Sequence, residues 1–322
     1  MTPLLDIRAL RVELPGNPPL AVLDDVSLTI APGEILGVVG ESGAGKSVTG
    51  AAVLGLLTSP LRQAAGEIRF DGTRIDTLPE AQMRRLRGAE IAMVFQDPLT
   101  ALNPVFTIGQ QLTQTIREHS PLTRTEARAR AVALLREVGI SDPEDRLEAY
   151  PHEFSGGMRQ RVVIALALAG EPRLIIADEP TTALDVSIQA QIIALLVGLA
   201  RSRGVGVMLI THDMGVIAEA ADRVAVLYAG RLAEVGPVAE VLLHPRHPYT
   251  RGLVGAIPRI GAGLEALPQI PGAMPRLDAL PDGCAFHPRC PLADAACRTE
   301  RPALRALGPV QVACLHAEKA PA

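Results

Sequence analysis

Apolar and polar positions divide the 322 residues into short strand-like runs and longer helix-like ones. Enrichment in β-branched residues with near-alternation predicts strands over 7–14 and 22–30, and an unbroken apolar run predicts a buried strand over 35–39 that leads into glycines. A helix is expected over 47–57. Further strand patterns lie at 67–70, 91–95, 174–177, 207–210 and 224–228, with helical patterns such as 188–200 between them. Strands that alternate with helices imply an α/β core built on a mainly parallel sheet. From 95 to 174 only helical periodicity is found, at 108–119, 125–138 and 156–169, which predicts a helical subdomain over about 97–170 inserted into that core. The texture changes after residue 243. Of 27 prolines, 13 fall from Pro237 onward, and dense proline disfavours long helices and central strands. Residues 244–322 are therefore expected to form an irregular Pro-rich extension that needs a staple.

Composition narrows the class. With 48% hydrophobic and 20% charged residues the chain reads as an ordinary globular protein, and a net charge of −4 provides no basic field for a nucleic acid. Asp6 and Arg8 stand where a signal peptide would need an apolar core. The longest apolar stretches, 162–170 and 192–200, are about half of the roughly 20 residues that a spanning helix requires. The expectation is a chain that neither leaves the cytoplasm nor crosses a membrane by itself. Among 31 basic residues only Lys46 and Lys319 are lysines.

Lys46 falls in Gly40-Glu41-Ser42-Gly43-Ala44-Gly45-Lys46-Ser47, which fits GxxxxGK[ST] between a predicted strand and a predicted helix. Glycines let successive N–H groups turn toward phosphate oxygens, and the helix N-terminus adds its positive dipole end. Lys46 then brings a compact charge to the β- and γ-phosphates, where a guanidinium would not fit, and the Ser47 hydroxyl can ligate Mg²⁺. The apolar strand 174–177 ends in Asp178 and Glu179, one placed for the Mg²⁺ shell and the other to polarise an attacking water. Strand 207–210 leads to His212, at the sheet edge where ligands of α/β proteins collect, and suggests a γ-phosphate contact.

With Phe154-Ser155-Gly156-Gly157-Met158-Arg159-Gln160-Arg161 added, the sequence resembles the ABC-type ATPases, whose signature is normally LSGGQ. Ser155, Gly156 and Gly157 at a helix start form a second anion nest in their own right. In the family that nest closes over the ATP held by another subunit's P-loop. The resemblance further implies that Gln96 is the Q-loop residue linking γ-phosphate and Mg²⁺ to the transmembrane partner. It also implies that Asp185, in Pro180-Thr181-Thr182-Ala183-Leu184-Asp185, belongs to a loop crossing the dimer interface. The implied fold is an ABC-type P-loop ATPase: a RecA-like core, an antiparallel β subdomain and the inserted helical subdomain over 1–243, followed by the extension. Segments 95–104, 247–258 and 283–291 and the SGGMRQR form of the signature resemble the peptide/nickel importer branch. Met158 in place of the signature Gln resembles the D-type ATPase, which implies a heterodimer with a distinct F-type ATPase. Two transmembrane permease subunits and an extracytoplasmic solute-binding protein would complete the importer, with this chain peripheral on the cytoplasmic face of the inner membrane. Nickel or another small solute remains an alternative cargo to di- or oligopeptides. A soluble ABC ATPase acting on nucleic acid or ribosomes would call for a coiled coil, a second P-loop or a basic face, and the sequence shows none. The adenine-stacking aromatic usual in the family has no counterpart near Arg11, so Leu14 or Val22 is the candidate apolar face.

All four cysteines, Cys284, Cys290, Cys297 and Cys314, lie in the extension. Four thiolates in a segment too poor in apolar residues for its own core suit tetrahedral Zn²⁺ or an iron–sulfur cluster, and the spacing alone does not choose between them. Free packing cysteines or disulfides are the competing readings. His287 and His316 are possible substitute ligands. The related importers' C-terminal cysteine set resembles a [4Fe-4S] site, which here would serve as a structural staple.

Overall fold

The computed structural model describes residues 2–182, 184–257 and 269–318. Ala183 and Lys319, named above, and the last residue of segment 247–258 lie outside the described residues. The chain forms two compact units, one of residues 1–31, 35–77 and 210–322, the other of 32–34 and 78–209.

The first unit begins with β1 (Leu5–Leu14), β2 (Leu20–Ile30), β3 (Ile35–Val39), α1 (Lys46–Val53), β4 (Arg62–Phe70) and β5 (Thr73–Arg74). The second follows with α2 (Glu80–Leu86), β6 (Ile91–Val94), α3 (Pro98–Ala101), α4 (Ile108–His119), α5 (Arg124–Glu137) and α6 (Pro143–Arg146). It ends with α7 (Gly156–Leu168), β7 (Leu174–Asp178), α8 (Val186–Arg203) and β8 (Gly206–Ile210). The chain returns to the first unit with α9 (Met214–Ala220), β9 (Arg223–Tyr228), β10 (Arg231–Pro237), α10 (Val238–Leu243) and α11 (Pro248–Gly255). The extension adds α12 (Ala295–Thr299), β11 (Arg305–Leu307) and β12 (Val310–Val312).

In the first unit β2-β1-β4-β5 form an antiparallel sheet. A second layer runs β11-β12-β10-β9-β3, in which β3 lies parallel to β9 and the other pairs are antiparallel. All five residues of β3 are buried, as the unbroken apolar run predicts for a strand covered on both faces. In the second unit the order is β8-β7-β6, with β6 parallel to β7 from Ile91↔Leu174 to Val94↔Ala177. Most of the described extension is irregular. The short hairpin β11–β12 is an exception, and β12 joins the sheet through Glu234↔Val312.

Helices α4 and α5 of the second unit start where side chains satisfy their free N–H groups. Thr107 and Gln110 form a reciprocal capping box on α4, and Thr123 and Glu126 do so on α5. On α4, Ile108, Leu112 and Ile116 recur at helical spacing and are buried; on α5, Ala127, Ala131, Leu134 and Leu135 do the same.

Candidate nucleotide site and cysteine cluster

In the first unit the glycine run turns at the end of β3 and opens α1 at Lys46. Gly40 has φ +154° and stands so close to β9 that a Cβ would lie 2.3 Å from the Leu227 carbonyl oxygen, so no other residue fits. Ala44 donates its N–H to Glu41 O at 3.1 Å, and Gly230 donates to Ala44 O at 3.0 Å. Lys46 is only 5% exposed, so it is not a solvated lysine on a glycine turn. Its ammonium donates to Gly40 O at 2.9 Å and to Glu41 O at 3.1 Å. Ser42, Gly43 and Ser47 are exposed, while Ala44 and Gly45 are buried. Val22 is buried and its carbonyl lies against Gly45, whereas Leu14 is half-buried. His212 is exposed; its neighbour Thr211 donates to Val38 O at 3.1 Å, tying that segment to the strand that leads into the glycine loop.

The second unit gathers Gln96, Asp178 and Glu179. Asp178 closes β7 and is buried. Glu179 turns out of the strand with φ +46°, a left-handed conformation that a side chain disfavours and that tends to mark functional positions. Its Oε2 accepts from Gln96 Nε2 at 3.1 Å and from Thr182 Oγ1 at 2.9 Å. Ser155 caps α7, its hydroxyl accepting from Met158 N at 3.3 Å. Gly157 meets α8 closely enough that a Cβ would stand 2.6 Å from Ile188 Cγ2. Asp185 is exposed at the N-cap of α8 and makes no capping bond there.

The cysteines come together in the first unit. Cys284 donates its N–H to Cys297 O at 2.9 Å, and the turn that follows links Cys284 O to His287 N and His287 O to Cys290 N. Burial is the main cause that raises each thiol above its ordinary value, and Cys314 is pushed up to about 11. A charge on Cys314 would also be opposed by Cys284, Cys290 and Cys297. The thiols, three half-buried and Cys297 buried, oppose one another's ionisation, a repulsion that a bound cation would relieve. His316 Nε2 lies 3.0 Å from Asp294 Oδ2, and Asp294, Cys297 and His316 bring ligand atoms within 4.8 Å of one another. His287 Nδ1 lies instead 3.0 Å from Cys284 O.

The ABC transporter family profile matches residues 23–182, and that of the oligopeptide/dipeptide transporter C-terminal region matches 233–297. The chain is 47% identical to the dipeptide transport ATP-binding protein DppD of Escherichia coli K12, over 90% of this chain and 88% of the relative. It belongs to the ABC transporter ATP-binding proteins, of the oligopeptide/dipeptide type. Within that family it is also 50% identical to the probable D,D-dipeptide transport ATP-binding protein DdpD of the same organism, over 95% of this chain and 94% of that one. Among solved structures, an ATP-binding cassette in a dimeric post-hydrolysis state bound to ADP and Pi matches with a TM-score of 0.65. It is 27% identical, covering 73% of this chain and 98% of that one. The cbiO1 subunit from Clostridium perfringens matches with a TM-score of 0.66 at 28% identity, covering 76% and 92%. No helix among the described residues is long and apolar enough to cross a membrane.

The sequence missed one group of residues beside the ABC phosphate loop. Tyr249 and Arg289, from beyond residue 243, both contact Glu41. Both lie in segments singled out above, but nothing local in the sequence showed that these meet the phosphate loop.

Proposed function

We propose that this chain is the ATP-binding and hydrolysing subunit that energises a multi-subunit ABC importer for di- or oligopeptides, working at the cytoplasmic face of the membrane. The observation that carries the reading is a lysine 5% exposed inside a glycine nest that opens a helix. Residues 1–243 form the ATPase domain and 244–322 the importer-type extension. The Gly40–Gly45 backbone and Lys46 hold the phosphates, and His212 contacts the γ-phosphate. Ser47 and Asp178, with Gln96, would hold Mg²⁺, which when bound neutralises phosphate charge. Glu179 orients and deprotonates the attacking water; its hydrogen bonds from Gln96 and Thr182 fix where its carboxylate points.

Ser155, Gly156 and Gly157 serve the nucleotide of a partner ATPase, and Asp185 faces that interface. Met158 at the signature position supports a D-type subunit paired with an F-type one. Phe95, Leu99, Val105 and Phe106 flank Gln96 in sequence and are exposed, which supports contact with a permease in that region. A solute-binding protein outside the membrane would deliver the peptide. Cys284, Cys290, Cys297 and Cys314 would hold a [4Fe-4S] cluster, or Zn²⁺ in its place, supplying a cross-link to a segment with few apolar residues.

Glu179→Gln tests the reading. MgATP binding should persist while hydrolysis falls by about 100-fold or more. Turnover equal to that of the unsubstituted protein would contradict it.

A further inference from the structure

The first unit carries a connection between the extension and the phosphate loop, made by segments 247–258 and 283–291. Tyr228, Tyr249 and Phe286 are three of only eight Phe and Tyr residues in the chain, and they meet edge-on or tilted with centroids 4.6–5.4 Å apart. Arg289 lies beside this cluster, its guanidinium carbon 5.9 Å from the Tyr228 ring centre and 5.8 Å from that of Phe286. Its side chain is 6% exposed. Nε donates to Pro271 O at 2.8 Å, and Nη1 donates to both carboxylate oxygens of Glu41, at 3.0 and 3.1 Å. A buried guanidinium so fully engaged is a rigid donor.

The backbone of Glu41 is held as well. Its N–H donates to Tyr249 Oη at 2.8 Å, while the carbonyl of the same peptide unit, Gly40 O, accepts from Lys46 Nζ at 2.9 Å. One peptide plane is therefore pinned on its N–H side by the extension and on its carbonyl side by the phosphate-binding lysine. Rotation of that plane would break both bonds. Tyr249 is itself fixed: it is fully buried in the first turn of α11, and the segment before that helix is anchored where Glu234 accepts the N–H groups of Arg246 and His247 at 2.8 and 2.9 Å.

We propose that Tyr249 and Arg289 are positioning residues for the ATPase, holding Glu41 so that Lys46 stands ready for the β- and γ-phosphates and placing nucleotide affinity under the control of the extension. The proposal rests on the ATP-binding reading above. Arg289 immediately precedes Cys290, so an ordered cysteine segment and an ordered phosphate loop would depend on one another.

The test is a double-mutant cycle on the full chain. The dissociation constant for MgATP, obtained by displacement of trinitrophenyl-ATP, is measured beside the thermal midpoint for the unsubstituted protein, Arg289→Ala, Glu41→Ala and the double variant. Arg289→Ala should weaken MgATP about tenfold, and the double variant should be no weaker than the weaker of the two single ones, because Arg289 acts through Glu41. Tyr249→Phe, which removes one oxygen and keeps the ring, should weaken MgATP about fivefold and supplies the answer should Arg289→Ala fail to fold. Affinities within twofold of the unsubstituted protein, whatever happens to the thermal midpoint, would overturn the proposal, as would losses that multiply in the double variant. Failure of the unsubstituted chain to bind MgATP would refute the ATPase reading instead.

Discussion

Lys46 and Glu179 show how differently single residues announce themselves. Lys46 stood out in the sequence because arginine has replaced lysine almost everywhere else, and its burial in the glycine nest gives that choice a physical reason. Lys46→Arg should abolish measurable MgATP binding in an equilibrium titration, since a planar guanidinium cannot occupy a nest sized for an ammonium. Glu179 was legible as an acid at a strand end, but its left-handed backbone and its bonds from Gln96 and Thr182 were not. Asp24 gave no sequence signal at all. Burial opposes its ionisation, yet the hydrogen bond and charge of Arg231, with the charges of Arg11 and Arg301, hold its carboxyl below the ordinary 3.8. A lowered carboxyl pKa stabilises the fold above its unfolded-state value and loses that contribution as pH falls through the folded value. Asp24→Asn should therefore lose about 1–2 kcal/mol in urea unfolding at pH 7, and the difference from the unsubstituted protein should shrink as pH is lowered from about 5 to 3.

Among the elements, length decided what could be read. The helix Ile108–His119 spans the residues that periodicity predicts, and α5, α7 and α8 agree with expectation to within a few residues at each end, because three or more turns average out single exceptions. The expected helix over 47–57 instead ends at Val53, and the strand expected over 67–70 begins at Arg62. Gly66, with φ +88° and no room for a Cβ beside Ala9, masks the start of β4 because a glycine breaks the β-rich pattern. The hairpin β11–β12 comprises two three-residue strands, too short to carry a period. Leu112→Ala, on the buried face of α4, should destabilise the protein by about 2–5 kcal/mol in denaturant unfolding. Gly157→Ala should leave the helical circular dichroism intact and depress ATP hydrolysis, because its Cβ would force the α7 start away from the stiff Ile188 side chain.

Over the whole molecule, the order of motifs along the chain announced the ABC cassette, while the connections between distant segments stayed hidden. Glu41 and Arg289 are 248 positions apart, and only the folded chain brings their side chains together. The cysteine extension belongs to the same scale, since its four thiols come from a segment of 31 residues that holds few large apolar side chains. Protein purified without oxygen should carry iron and sulfide with a visible absorption band; colourless protein with stoichiometric zinc would replace the cluster by the metal ion. Transport is the work of the assembled importer. Its most direct measurement is ATP-dependent uptake of a labelled dipeptide into proteoliposomes holding this chain with the proposed second ATPase and permease subunits, supplied with the solute-binding protein. Uptake should require MgATP and disappear with Glu179→Gln in this chain, whereas undiminished uptake by the Glu179→Gln assembly would contradict the account.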